Sequence, residues 1–249
     1  MVMNIPVRQR YPMIFPVING SLHFFGAFYF GCALYMHFVH LRVVVANGLL
    51  LFLHGTKFIG IWSAVAQLVY LLYCTGLDLK NIVKPEDSPD ASTVVKDFIQ
   101  TSLVFPSSLV SSVSFWIFFC INKNMIFKNG ENRSPLWITH LIYSYNIIIQ
   151  ILEMATSSRN YPNNTASFIG IFSFFVAYVF WTHLVHWYTG EWSYYILEKM
   201  NLPVRILFFI SFYILLHTGY VLGYLFNSML WGSDNERKIR PRTEITIVI

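Results

Sequence analysis

The chain has 249 residues, of which 55% are hydrophobic, 18% aromatic and only 12% charged, with a formal net charge of +5. Soluble domains carry about a quarter charged residues and disordered chains are polar and poor in aromatics. Both classes are therefore excluded, and a membrane protein remains.

Charged residues leave six long gaps, at residues 11–41, 58–77, 98–122, 134–152, 160–190 and 206–233. Each reaches the roughly 18 apolar residues that make a spanning helix. The expected fold is all-α, a polytopic bundle of about six transmembrane helices. Residues 1–233 form one domain and residues 234–249 a polar tail. The first gap follows Arg8 and Arg10. It is longer than the apolar run of a cleaved signal peptide, so it reads as a retained span. Residues 43–56 are too few to cross and read as an interfacial or re-entrant segment.

The second span opens with His54-Gly55-Thr56-Lys57-Phe58. Thr56, Gly60 and Ser63, at i, i+4 and i+7, would share one helix face. The most polar connector, residues 78–97, separates spans two and three. Span three carries Ser107, Ser108, Ser111, Ser112 and Ser114, hydroxyls at the spacing of a close packing face. The next connector is basic and holds the glycosylation acceptor pattern at Asn132. Span four starts at Pro135, and its His140 and Tyr143, three apart, are expected on one face. Asn160 to Asn164 reads as a turn before span five, and Asn201-Leu202-Pro203 as the start of span six.

With six spans both termini share one side of the membrane. That side carries ten Lys and Arg against seven, which points to cytoplasmic termini of a multi-pass protein in an endomembrane or the plasma membrane. The basic residues 237–242 sit beside a span and do not read as a nucleic-acid patch. Cys32, Cys74 and Cys120 lie in or beside apolar spans, with no disulfide or zinc pattern.

Polar groups at depth mark function in a membrane bundle. Two histidine pairs, His37/His40 and His183/His186, have helical i, i+3 spacing that suits a metal. No adjacent His-His occurs and carboxylates are almost absent from the spans, so no metal or other cofactor is expected. The alternative chemistry is nucleophilic: a Ser or Thr hydroxyl whose proton a His removes. A hydroxyl near the start of span two facing a His near the start of span four would suit ester hydrolysis on an acyl chain. Small residues at that spacing equally serve helix packing.

From about His54 to Trp231 the chain resembles the family of the androgen-induced gene 1 protein and the androgen-dependent TFPI-regulating protein. The resemblance is carried by Phe105-Pro106 with Phe115-Trp116, Trp137 with His140, and Glu153-Met154 with Tyr161-Pro162. Further along it is carried by Trp181, His186, Thr189-Gly190-x-Trp192, Leu197-Glu198, Arg205 and the Gly223, Asn227, Trp231 series. It implies a multi-pass membrane threonine hydrolase that cleaves fatty acid esters of hydroxy fatty acids without a cofactor. Its Thr nucleophile would lie near the start of span two and its His near the start of span four. Aligned on Lys57, Phe58 and Gln67, the nucleophile position falls on Gly60. Aligned on Trp137 and His140, the base position falls on Tyr143. Gly has no nucleophile, and a Tyr with a pKa near 10 is a poor base at neutral pH. Three readings follow. The chain is a pseudoenzyme that keeps a lipid pocket; or its site has moved one turn, with Ser63 or Thr56 as nucleophile, His140 as base and Tyr143 donating to the oxyanion; or the register in span two differs. His186 matches the family and would bind the substrate carboxylate or orient a polar group.

Overall fold

The computed structural model describes residues 14–45, 47–83, 91–127, 135–162 and 164–239. Among these there is no strand. The helices are α1 (Ile14–Val44), α2 (Gly48–Thr56), α3 (Ile59–Val83), α4 (Ala91–Ile99), α5 (Phe105–Ile121), α6 (Leu136–Thr139), α7 (Tyr145–Thr156), α8 (Asn164–Thr189), α9 (Ile196–Lys199) and α10 (Leu202–Ile239). The fold is an all-α polytopic bundle. Asn132 lies outside the described residues, and α10 continues to Ile239, into the segment read as the tail.

Among the described residues, five helical segments are long and apolar enough to cross a membrane: Pro16–Val43, Ile59–Val83, Ala91–Ile121, Thr165–Thr189 and Leu202–Gly232. The fourth expected span, helical over residues 136–156, is not among them; it buries Asn146, Gln150 and Glu153 against the other helices and leaves Tyr145, Ile148 and Leu152 exposed. Two of these segments are not uniform. A π turn at Gln100–Val104 joins α4 to α5, and another at His140–Ser144 joins α6 to α7. The connector read at 78–97 is shorter than expected, because Asp78 belongs to α3 and Asp97 to α4.

The outward faces are apolar, as lipid contact requires: Phe24, Phe28, Trp187 and Met229 are all exposed. Inside, the aromatic and aliphatic core is crossed by a polar layer. Gln67 Nε2 donates to Ser108 Oγ and to the Asn146 carbonyl, both at 2.8 Å, and also to Asn146 Oδ1. Gln150 Nε2 donates to Gln67 Oε1 at 3.3 Å. Without water in the bilayer, such groups must satisfy one another. The serine stripe of α5 lines this layer, so it is both a packing face and a hydrogen-bonding one.

The end of the bundle where α3 finishes is tied by ions. His23 meets Asp78 through Nδ1 and Glu153 through Nε2, the latter at 3.0 Å. Tyr70 Oη donates to Glu153 at 2.9 Å, and Arg159 bridges Glu153 and Asp97. Glu153 is fully buried and Arg159 is 2% exposed. Burial works to lower the Arg159 pKa, and Tyr70, Glu153 and Asp97 outweigh it, so the guanidinium is held above its ordinary value. The Asn227 side chain accepts from the Arg159 amide and donates to its carbonyl, while Trp231 Nε1 donates to the Met154 carbonyl at 2.8 Å. Glu153, Met154, Asn227 and Trp231, which carry the family resemblance, thus grip one loop.

Candidate functional site

The opposite end of the bundle holds the positions singled out in the sequence. The chain breaks between α2 and α3, which frees backbone carbonyls that the membrane cannot hydrate. Aromatic donors take them instead. The Thr56 carbonyl accepts from Trp62 Nε1 at 3.0 Å and from Trp181 Nε1 at 3.1 Å. The Lys57 carbonyl accepts from Tyr178 Oη at 3.2 Å. Outside the break, Lys57 Nζ pairs with Glu191 at 3.1 Å. These contacts fix Gly60 in the first turn of α3.

Facing it is the π turn of His140–Ser144. The turn closes from the Tyr145 amide to the His140 carbonyl, one residue wider than an α turn. It changes which residues share a face. Tyr143 points inward, 6% exposed, and stacks on Phe115 with ring centroids 3.8 Å apart. Its ring lies directly against Gly60, where an added Cβ would sit 2.6 Å from Tyr143 Cζ. The two positions that the resemblance assigns to nucleophile and base therefore do meet, as a Gly and a Tyr that fill one another's space.

Beside them is a small, partly open cavity of ≈ 30 Å³, lined by His37, Thr139, Tyr143 and an apolar wall that includes Phe58, Ile61 and Ile142. That volume holds about one water or one small polar head. His37 is 7% exposed.

The other candidates are dispersed. The break at Lys57 and Phe58 places Thr56 in α2, so Thr56, Gly60 and Ser63 do not share the expected face. Thr56 Oγ1 donates to the Phe52 carbonyl of its own helix at 2.7 Å. Ser63 is fully buried in the polar layer, donating to Asn146 Oδ1 at 3.3 Å and accepting from Ser107 Oγ at 3.2 Å. His140 is on the outside, again because of the π turn. It bonds Ser144 Oγ through Nδ1 at 2.9 Å and stacks on Trp116 at 4.7 Å. Among the described residues, no hydrogen bond joins Ser63 or Thr56 to His140.

His186 lies elsewhere on this end, stacked on Trp192 at 4.0 Å, with the Arg205 guanidinium 4.2 Å from the same ring. Of the i, i+3 histidines, His37 and His40 part company, His40 meeting Trp137 edge-on at 5.7 Å, whereas His183 and His186 both pack on the Trp192 ring, at 5.2 Å and 4.0 Å, with His183 Nδ1 bonding the Val179 carbonyl at 2.8 Å.

Sequence reasoning missed the ion cluster and the cavity role of Thr139. His23, Cys74 and Glu153 bring one ligand atom each within 4.8 Å of one another. Both His23 nitrogens already meet carboxylates and Glu153 meets Arg159. A cation there would have to displace that guanidinium, so the group reads as an ion network. The signal lay in four acidic or basic positions, Asp78, Asp97, Glu153 and Arg159, flanking the apolar gaps at one end.

The sequence profile of the FAR-17a/AIG1-like protein family matches residues 24–228. The androgen-induced gene 1 protein of Homo sapiens is 29% identical over 199 residues, 76% of this chain and 84% of the relative. The androgen-dependent TFPI-regulating protein of Homo sapiens is 27% identical over 141 residues, 56% of this chain and 61% of the relative. That of Mesocricetus auratus is 25% identical over 182 residues, 72% of this chain and 78% of the relative. No solved structure matches the chain.

Proposed function

The chain belongs to the FAR-17a/AIG1-like family, and from that premise we propose that it is a lipid-binding pseudoenzyme, a multi-pass membrane protein that holds a fatty acyl ligand at the family's hydrolytic site without cleaving it. The observation that carries this reading is the contact between Gly60 and Tyr143. The ancestral reaction, hydrolysis of fatty acid esters of hydroxy fatty acids, needs a hydroxyl on the first of these positions and an imidazole on the second. Here the first has no side chain and the second spends its ring filling the gap. The aromatic stack with Phe115 then gives the substitution a packing role in place of a chemical one.

The competing reading is a site moved one turn, with Ser63 or Thr56 as nucleophile, His140 as base and Tyr143 at the oxyanion. A lipid-like fluorophosphonate probe separates the two. In membranes expressing the full chain, the wild type is expected to stay unlabelled, while Gly60→Thr combined with Tyr143→His gains labelling. Wild-type labelling that disappears in His140→Ala and in either Ser63→Ala or Thr56→Ala would overturn the pseudoenzyme reading in favour of the moved site.

A further inference from the structure

His37 is the one part of the first span that enters the cavity beside Tyr143. Its Nε2 lies 3.0 Å from the Gly55 carbonyl. A carbonyl only accepts, so Nε2 carries the ring proton and Nδ1 keeps a lone pair. This tautomer is held by the close approach of α1 to α2: an added side chain on Gly55 would strike the Phe38 ring. His37 Nδ1 is buried and has no hydrogen-bond partner. An orphaned buried acceptor is costly, on the order of 1–3 kcal/mol, and rare enough to ask what satisfies it. Tyr143 lines the same cavity, and its hydroxyl takes no hydrogen bond among the described residues. Two residues that line one cavity therefore carry an unused acceptor and an unused donor.

We infer that His37 Nδ1 and the Tyr143 hydroxyl clamp the neutral polar head of a long-chain lipid, a head that donates one hydrogen bond to His37 and accepts one from Tyr143. The matching chemistry is an alcohol hydroxyl or a protonated carboxyl. An ionised carboxylate sets a lone pair against the lone pair of Nδ1. An ammonium head finds no counter-charge among the residues that line the cavity. The volume of ≈ 30 Å³ admits the head and not the chain, which must lie along the apolar helices outside. His37 near the end of α1 and Tyr143 near the start of the fourth helical segment put the clamp towards one membrane face, the depth at which a lipid head resides. The assignment deepens the lipid-pocket reading and rests on it.

Three photo-crosslinkable C16 probes test the inference on the full chain in lipid nanodiscs: the fatty alcohol, the fatty acid at a pH that keeps it protonated, and the methyl ester, which has no donor. The alcohol, the acid or both should outcompete the ester by about tenfold, as one neutral buried hydrogen bond allows. Which of them does so distinguishes the two sources of the head. His37→Phe should remove the preference, bringing alcohol and acid binding down to that of the ester. Tyr143→Phe, which keeps the ring against Phe115, should weaken alcohol or acid binding by several-fold. Equal binding of all three probes in the wild type, or a preference that survives both variants, overturns the clamp and leaves the lipid pocket standing, with His37 Nδ1 then satisfied by a structural water only. Binding of no probe overturns the clamp together with the lipid-pocket reading.

Discussion

The ring of Tyr143 occupies the volume that a side chain on Gly60 would need, with Cζ 2.6 Å and Cδ1 2.9 Å from an ideal Cβ there. Tyr143 cannot retreat freely, because its other face is stacked on Phe115. Adding even one methyl at Gly60 overpacks a closed contact, a change that costs about 1–3 kcal/mol. Gly60→Ala should therefore lower the thermal stability of the purified chain. Tyr143→His gives a smaller ring and makes room. In a double-mutant cycle the pair should be less destabilised than the sum of the singles, by more than about 0.5 kcal/mol. Additive effects would mean that the two positions do not share space.

At the other end, Arg159 and Glu153 are a buried pair within a larger network. Removing one partner leaves the other with fewer, Asp97 for Arg159 and His23 with Tyr70 for Glu153, so the loss approaches the about 3–5 kcal/mol of a broken buried pair. Glu153→Gln and Arg159→Met should each cost that order in detergent unfolding. Raising the salt should not recover the loss, since buried charges are poorly screened. The expectation fails if either variant unfolds within about 1 kcal/mol of the wild type.

The carbonyl of Thr56 has two indole donors, which predicts a shortage only when both are gone. Trp62→Phe and Trp181→Phe should each be mild, near the ~1 kcal/mol of one hydrogen bond, because the remaining indole still serves the carbonyl. The double variant leaves a carbonyl unpaired inside the bundle and should cost more than the two singles together. Hydrogen exchange at the Ile59–Ile61 amides would report the same loss as local opening of the first turn of α3.

How much of this was legible beforehand varies with the physics involved. The charge-free gaps placed five of the six expected spans to within seven residues at either end, because the bilayer excludes charge along a fixed length, while among the described residues the gap at 134–152 does not yield a helix long and apolar enough to cross. Positions 60 and 143 were singled out because the family's nucleophile and base positions fall there, and their contact is a finding of the structure. Two features were not legible. Faces counted at 3.6 residues per turn failed wherever the helix was not α: the π turn at His140–Ser144 separates His140 from Tyr143, and the break at Lys57 separates Thr56 from Ser63. The ion cluster was hidden for a different reason. Asp78, Asp97 and Arg159 sit at segment boundaries where charge reads as a solvated connector, and only the packing shows that Arg159 is 2% exposed.

The polar layer supplies a last discrimination, between a serine that supports structure and one placed for chemistry. Gln67 makes the shorter contacts: it serves Ser108 and Asn146 and receives the Gln150 amide. Gln67→Leu strands several of these at once and should destabilise the chain by about 1–3 kcal/mol for each group left unpaired. Ser63 makes only longer contacts, of 3.2 to 3.4 Å, to Ser107, Asn146 and Ser108. Each of those partners has another bond, Ser107 and Ser108 to the Val104 carbonyl and Asn146 to Gln67 and Ser111. Ser63→Ala should then cost less than about 1 kcal/mol, measured against Gln67→Leu in the same unfolding assay. A Ser63→Ala chain that keeps its stability also makes the fluorophosphonate comparison decisive, because any change in labelling then reports on the hydroxyl and not on the fold.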